Sequence, residues 1–150
     1  MIAITELTPD ELPEVDGRLP LSRLDQHAAE GSTYLIAWED DEPVGHAHIA
    51  WSGTYLGLPE IQDVFVRPGH RRRGIASQLT EAAESEARRR GSDRISLSVS
   101  QEQNPAARLL YAKLGYADAG VEPVRVLGQI ILRGRPFDVD DTLVYLTKDL

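Results

Sequence analysis

Hydrophobic positions recur along this chain at two spacings, which predict an alternation of β-strands and α-helices. Apolar residues at every second position indicate strands, and apolar residues three or four positions apart indicate amphipathic helices. The predicted strands lie at 2–7, 33–38, 43–51, 61–66, 94–100, 116–119 and 142–147. The predicted helices lie at 8–17, 21–31, 74–90 and 104–115. This order predicts an α/β (α+β) fold in which helices cover a mixed sheet.

An insertion at about 121–140 is predicted to form an added hairpin before the last strand. Its β-rich part is 124–139, and Gly134 stands in the predicted turn. The three consecutive apolar residues 130–132 cannot all face one side of a strand, because neighbouring side chains point to opposite faces. One face of the hairpin is therefore expected to pack on the domain, while the other offers an apolar surface.

The chain has 150 residues, and we expect 1–150 to form a single domain. Hydrophobic residues make up 41% and charged residues 27%, values that are typical of a soluble globular protein. The sequence holds no cysteine, which excludes disulfides, thiolate metal sites and a cysteine nucleophile. No apolar run reaches the ~18 residues of a membrane helix, and the N-terminus shows no targeting pattern. A cytoplasmic location is therefore expected.

The net charge of −8, from 16 Lys and Arg against 24 Asp and Glu, makes any cluster of cations informative. An acidic chain repels nucleic acid and anionic membranes, so neither is an expected partner. Four arginines nevertheless stand close together, at Arg67, Arg71, Arg72 and Arg73. They precede a helix that begins at Gly74, and the free N–H groups of a helix start form an anion site. A solvated basic turn explains the same pattern equally well.

Two motifs in the second half of the chain together point to a family. Residues 71–76 read Arg-x-x-Gly-x-Ala, and residues 104–116 read Asn-x-x-Ala-x-x-Leu-Tyr-x-Lys-x-Gly-Tyr. The pair resembles the two signatures of the GNAT family of acetyl-CoA-dependent N-acetyltransferases. The resemblance covers residues 1 to about 119. It implies the GNAT fold, a central mixed and mostly antiparallel sheet with helices on both faces, with acetyl-CoA as co-substrate and no metal.

The resemblance also implies a site for each part of acetyl-CoA. The pyrophosphate is expected on the backbone N–H groups of the glycine turn, at Arg72, Arg73, Gly74, Ile75 and Ala76, and Arg71 is expected to bind acetyl-CoA beside them. The pantetheine arm is expected along the preceding strand and beside the second motif, at Val64, Phe65, Val66 and Asn104.

Two residues are candidates for proton transfer. Tyr111 matches the family's tyrosine near the thioester sulfur and is the candidate acid for the departing thiolate, with packing on the helix as the alternative. Glu60 stands where some family members carry a base for the attacking amine, whose free pKa is near ~10.4. A solvated carboxylate at the end of the strand is an equal alternative for Glu60. The neighbouring Asp63 points to the opposite face unless a bulge intervenes.

His46 and His48 stand two positions apart and therefore share one face of a strand. Such a pair can bind a metal ion. No third ligand is evident nearby, so no metal site is predicted, and both residues are expected to line a pocket or to be exposed.

The predicted function is transfer of the acetyl group of acetyl-CoA to a primary amine of a small molecule or a peptide, by direct attack in a ternary complex. A domain of the same fold that binds acyl-CoA without turnover, as a sensor or an interaction module, is the alternative. The acidic total disfavours a nucleic-acid-binding role for the arginines. The hairpin at 124–139 is expected to close over the acceptor pocket or to join a two-fold partner, and we favour a homodimer.

Overall fold

The computed structural model describes the backbone of residues 1–150 and all side chains except those of residues 29 and 30. The strands are β1 (Ile2–Glu6), β2 (Thr33–Glu39), β3 (Glu42–Ala50), β4 (Glu60–Val66), β5 (Arg94–Ser100), β6 (Ala117–Asp118), β7 (Val124–Leu132) and β8 (Arg135–Asp149). The helices are α1 (Leu12–Asp16), α2 (Leu24–Glu30), α3 (Ile75–Arg89) and α4 (Pro105–Lys113), and a 3₁₀ turn (Pro68–His70) precedes α3. Over this backbone the strands form one sheet in the order β1-β2-β3-β4-β5-β8-β6, with β7 paired to β8.

Helices cover both faces of the sheet. On one face α3 buries Leu79, Ala83 and Ala87, which stand four residues apart on a single stripe, and α4 packs against the same core. On the other face α1 and α2 cover a second core, in which Val15 and Tyr34 are fully buried. This arrangement confirms the predicted helices on both faces of a mixed sheet. Of the helices that the structure describes, none is both long and apolar enough to span a membrane.

The sheet opens between β4 and β5. All neighbouring strands are antiparallel except this pair, which is parallel. Their ladder over the described backbone consists of two residue pairs, Glu60 with Ser96 and Ile61 with Leu97. Beyond Ile61 the two strands separate, so the carboxyl end of β4 is free on the side that faces β5.

A β-bulge changes the direction of the side chains along β4. His46 pairs with Phe65 and His48 pairs with Gln62, so β4 has one residue more than β3 between these pairs. Asp63 lies in this bulge with a positive φ of 49°. As a result Asp63 points to the same face of the sheet as Gln62, and the bulge is the reason that simple alternation does not hold here.

The predicted hairpin is confirmed, but it is not separate from the last strand. β7 pairs with the first half of β8 through a turn at Arg133 and Gly134. The strand predicted at 142–147 is the second half of the same β8, and there it pairs with β5. The prediction of two separate strands was wrong because one long strand takes different partners along its length.

The tip of this hairpin is tied to the end of α1, to the start of α2 and to the connection between them. The two terminal nitrogens of Arg133 donate to the two carboxylate oxygens of Asp16, each at 2.8 Å. The Arg133 side chain also donates to the carbonyl of Leu21 at 2.9 Å, and its backbone N–H donates to Asp25 at 3.1 Å. This end of the hairpin therefore closes on its own chain, while Ile131 remains exposed.

The first helix begins later than predicted. The N–H of Glu11 donates to the carbonyl of Thr8 at 3.1 Å, and the N–H of Leu12 donates to that of Pro9 at 3.4 Å. Bonds between residues three apart define tight turns, so α1 begins at Leu12 and the predicted start at Thr8 was wrong.

Candidate active site

Two cavities meet beside the separated ends of β4 and β5, in the part of the chain whose side chains the structure describes. The first has a volume of about 590 Å³ and lies between β4 and the starts of α3 and α4. The second has a volume of about 360 Å³ and lies between β4, β5 and β8. Both are lined by Val64, Asn104, Ala107 and Tyr111. Ligands in the two cavities would therefore meet at these residues.

The start of α3 directs backbone donors into the first cavity. Gly74 occupies the position before the helix with a φ of 77°, and no described side chain caps this end. The N–H groups of Ile75, Ala76 and Ser77 precede the first intrahelical bond, which joins the N–H of Gln78 to the carbonyl of Gly74. A Cβ on Gly74 would meet no atom within 4 Å, so the space above the turn is open. These donors lie at the positive end of the helix dipole and suit a phosphate group.

The arginines of the turn point in different directions. Arg71 and Arg72 line the first cavity. The Nε of Arg71 donates to the carbonyl of Val66 at 2.9 Å, at the end of β4. Arg73 forms an ion pair with Glu39 and is absent from the cavity lining. The structure thus brings the side chains of Arg71 and Arg72 to the cavity and turns that of Arg73 away.

The free end of β4 forms another wall of the first cavity. Val64, Phe65 and Val66 all line it. Because β5 has separated from β4 here, the N–H and C=O groups on this edge of β4 have no strand partner. Such an edge pairs readily with an extended ligand.

Helix α4 places two residues where the cavities meet. Asn104 stands before the helix, where its Oδ1 accepts from the N–H of Ala107 at 3.2 Å. Tyr111 is buried and packs edge-on against Tyr116, with ring centroids 5.7 Å apart. Burial raises the pKa of Tyr111 to about 12. The hydroxyl is therefore protonated at neutral pH and is able to act as a donor.

A chain of hydrogen bonds holds Glu60 at the second cavity. Glu60 is only 7% exposed, and its Oε2 accepts from Nε2 of Gln62 at 2.6 Å. Oε1 of Gln62 lies 3.1 Å from Nδ1 of His48, and Nε2 of His48 lies 2.6 Å from Oγ of Ser32. Burial lowers the pKa of His48 to about 4, so the ring is neutral at pH 7. A neutral ring that donates from Nδ1 to Oε1 of Gln62 accepts at Nε2 from the hydroxyl of Ser32. Because Oε1 of Gln62 then faces His48, the amide nitrogen of Gln62 faces Glu60 and donates to it.

Glu60 is consequently not the solvated strand-end carboxylate that was its alternative. Its second oxygen, Oε1, is buried and has no hydrogen-bond partner among the described side chains. A buried carboxylate oxygen without a donor is uncommon and indicates a place for a ligand or a water molecule. Glu60 therefore has one oxygen held by the protein and one that is unpaired beside the cavity.

Asp63 lines the same cavity but serves to connect segments of the fold. Its Oδ2 accepts from the hydroxyl of Tyr34 at 2.5 Å and from the N–H of Ser22 at 3.0 Å. His46 stacks on Phe65 behind it, with Nδ1 of His46 3.8 Å from the same Asp63 oxygen. Burial lowers the pKa of His46. Asp63 thus joins β4 to β2 and to the connection before α2.

The two histidines share one strand face, as predicted, but both are fully buried. Neither lines either cavity, so the prediction of exposed or pocket-lining histidines was wrong. Their burial is compatible with the neutral state of both rings. Among the described side chains, no group of three or more His, Asp or Glu is placed to hold a metal ion.

Three further residues shape the second cavity and were not predicted from the sequence. Gln62 follows Glu60 by two positions, so strand alternation already places it on the same face. Ser32 and Arg23 lie in connections far from β4 in sequence, and no local pattern indicates them. Arg23 lines the cavity, and Ser32 reaches Glu60 through the hydrogen-bond chain.

Comparison with known proteins agrees with the two sequence motifs. The model of the acetyltransferase (GNAT) family matches residues 1–116, and the chain belongs to this family. The streptothricin acetyltransferase of Streptomyces lavendulae is 32% identical over 94 residues, which cover 63% of this chain and 49% of that protein. The mycothiol acetyltransferase of Amycolatopsis mediterranei is 31% identical over 118 residues, which cover 77% of this chain and 34% of that protein. The chain matches half or less of the length of these two relatives.

The predicted GNAT fold is confirmed by a solved structure. A GNAT family acetyltransferase from Elizabethkingia anophelis with acetyl-CoA bound superposes with a TM-score of 0.70 at 18% sequence identity. The superposition covers 99% of this chain and 98% of that one. The family match in sequence ends at residue 116, so the hairpin of β7 and β8 lies outside it.

Proposed function

We propose that this chain is an N-acetyltransferase that moves an acetyl group from acetyl-CoA to a primary amine of a small molecule or a peptide, within one domain over 1–150. The observation that supports it most directly is the meeting of two cavities at Asn104 and Tyr111. One cavity suits a phosphate-bearing molecule with an extended arm, and the other holds a buried carboxylate. The acetyl-CoA bound to the Elizabethkingia anophelis relative supports the choice of co-substrate.

The first cavity fits the two chemical parts of coenzyme A. The N–H groups of 75–77 and the side chains of Arg71 and Arg72 supply positive charge for the pyrophosphate. The free edge of β4 over 64–66 supplies donors and acceptors for the amides of the pantetheine arm, with Asn104 opposite. Arg73 remains a predicted contact through its backbone, since its side chain is paired with Glu39.

Tyr111, where the cavities meet, and Glu60, in the second cavity, have the chemistry that the reaction needs. Bound acetyl-CoA supplies a thioester, whose carbonyl carbon the amine nitrogen attacks. Glu60 accepts the proton that the nitrogen loses as the N–C bond forms, directly or through one water. As the C–S bond breaks, the hydroxyl of Tyr111 donates its proton to the departing sulfur and is reprotonated from solvent.

Binding and turnover of the full chain test this proposal separately. Calorimetric titration measures CoA affinity, and release of the free CoA thiol from acetyl-CoA measures transfer to each amine in a panel. We expect CoA to bind and at least one class of primary amine to release thiol. CoA binding without thiol release from any amine would support the sensor alternative, and no CoA binding would refute both.

A cytoplasmic location and a homodimer remain predictions. The dimer is supported by the outer face of the β7–β8 hairpin, where Leu127 is 70% and Ile131 is 63% exposed. A second copy of this chain would cover these side chains through a two-fold contact.

A further inference from the structure

The second cavity is lined by Arg23 and by two carboxylates, Glu60 and Asp63, and among the described side chains Arg23 is paired with neither. Asp63 accepts from Tyr34 and Ser22, which leaves Arg23 and Glu60 as the two groups of opposite charge that each have a buried atom without a partner in the described part of the chain. Among the described side chains, no ion pair joins Arg23 to Glu60 or to another carboxylate. In a chain with 24 acidic residues and 16 basic ones, an arginine in a cavity without a carboxylate partner is unexpected. The arrangement suits a ligand that satisfies both groups at once.

The position of Arg23 is fixed by its backbone rather than by its side chain. Its N–H donates to the hydroxyl of Tyr34 at 2.8 Å, and that hydroxyl donates to Asp63. The Nε of Arg23 is buried and has no hydrogen-bond partner among the described residues. Because a guanidinium remains charged in proteins and a buried charge is costly without a partner, this end of the cavity suits an anion.

Glu60 presents the complementary end. One of its oxygens is held by Gln62, and the other is buried with no donor among the described residues. An amine or ammonium group supplies the N–H donors that this oxygen lacks. Within one cavity, Glu60 therefore suits an amine or ammonium group of a ligand, and Arg23 suits an anionic group.

The size of the cavity favours a compact ligand. Its volume of about 360 Å³ is near the lower end of the ~300–1,000 Å³ range of small-molecule sites. The segment that carries Arg23 is tied to the hairpin, because Arg133 donates to the carbonyl of Leu21 at 2.9 Å. The polar side chains Ser98 and Ser100 also line the cavity.

We infer that the acceptor is a compact molecule with a primary amine and an anionic group, the amine at Glu60 and the anion at Arg23. This inference rests on the proposed acetyl transfer. The anion is a carboxylate or a phosphate, so an amino acid meets both requirements, whereas a polyamine or a peptide N-terminus lacks the nearby anion.

Matched pairs of acceptors test the inference in three proteins. The pairs are amino acids with their carboxamides, and phosphoethanolamine with ethanolamine. The proteins are the wild type, Arg23→Gln and the control Arg88→Gln, which removes an exposed cation of α3 that lines neither cavity. Because the carboxamide also alters the basicity of the amine, the ratio of kcat/KM for the two members of a pair is compared between proteins. CoA affinity is measured in each variant as the check on folding.

We expect Arg23→Gln to lower kcat/KM for the anionic acceptors by about 10- to 100-fold, the range for a lost hydrogen bond to a charged group. The neutral members of the pairs should change by less than about threefold, and Arg88→Gln should change neither. The anionic acceptor with the higher kcat/KM in the wild type, an amino acid or phosphoethanolamine, identifies the anion as a carboxylate or a phosphate.

An equal loss for both members of a pair would overturn the inference. A wild-type kcat/KM that is higher for a polyamine, measured in the same assay, than for every anionic acceptor would also overturn it, and both results leave acetyl transfer itself intact. Thiol release from none of these amines, in protein that binds CoA, would overturn this inference alone, and the wider amine panel would then decide whether the chain is a transferase.

Discussion

Replacement of Gly74 by two residues of nearly equal shape would test the proposed phosphate site. Gly74→Asp and Gly74→Asn both place a side chain at a φ of 77°, where Asn and Asp are tolerated better than other non-glycine residues. A Cβ at this position meets no atom within 4 Å, so both variants fit without a clash. Both should lose about 1 kcal/mol in the free energy of unfolding from backbone strain. They differ by one negative charge.

That charge has opposite effects in the free and bound protein. Without ligand, a carboxylate at the start of α3 gains about 0.3–1 kcal/mol from the helix dipole, so the Asp variant should be at least as stable as the Asn variant. With CoA bound, the carboxylate faces the pyrophosphate. Like charges about 6 Å apart at an effective dielectric constant of about 40 repel by about 1.4 kcal/mol, and the pyrophosphate carries two. The Asp variant should therefore bind CoA about 30- to 100-fold more weakly than the Asn variant.

Calorimetric titration of CoA at low and high salt, together with thermal unfolding of the free proteins, measures both effects. The difference in Kd between the variants should shrink at high salt, because ions screen an exposed charge. Equal Kd values for the two variants at low salt would show that the pyrophosphate does not bind at this turn.

Three further predictions concern other parts of the molecule. Tyr111→Phe should lower kcat about 100-fold and leave CoA affinity unchanged, as read by thiol release and calorimetry; unchanged kcat would restrict Tyr111 to packing. The free energy of unfolding in urea should fall by about 2–3 kcal/mol between pH 6.5 and pH 4. The folded protein holds the pKa of His48 at about 4, whereas the unfolded chain takes up the same proton near ~6.5. His48→Gln should therefore reduce this loss of stability at low pH. A free energy of unfolding that stays constant from pH 6.5 to pH 4 would contradict the prediction. Light scattering should detect a dimer for the wild type and a 16.6 kDa monomer for Ile131→Asp, and a monomeric wild type would exclude the dimer.

The order of the elements and both family motifs follow from local signals. Alternation along strands and stripes along helices depend on residues a few positions apart, so β2 to β5, α3 and α4 lie within a few residues of their predicted bounds. Asn104 caps α4, as its residue type and the proline that follows it indicate. The left-handed conformation of Gly74 is likewise a property of one residue in a turn.

The state of the candidate base was decided only by the tertiary structure. From the sequence, Glu60 was equally a base or a solvated carboxylate. In the fold it is buried and connected through Gln62 to His48 and Ser32, which belong to β3 and to the connection before β2. The register between strands decides which side chains meet, and the bulge at Asp63 changes that register without a signal in the sequence.

The sequence also did not indicate which charged side chains form ion pairs and which line a cavity. Arg73 and its neighbours Arg71 and Arg72 form one cluster in the chain, yet Arg73 pairs with Glu39 while the other two line a cavity. Arg23 showed no distinguishing pattern and nevertheless lines the second cavity. Spacing along the chain determined which residues form each strand and helix, because those preferences act over a few residues. Which charges are paired and which remain available to a ligand depends on segments that come together only when the sheet has formed.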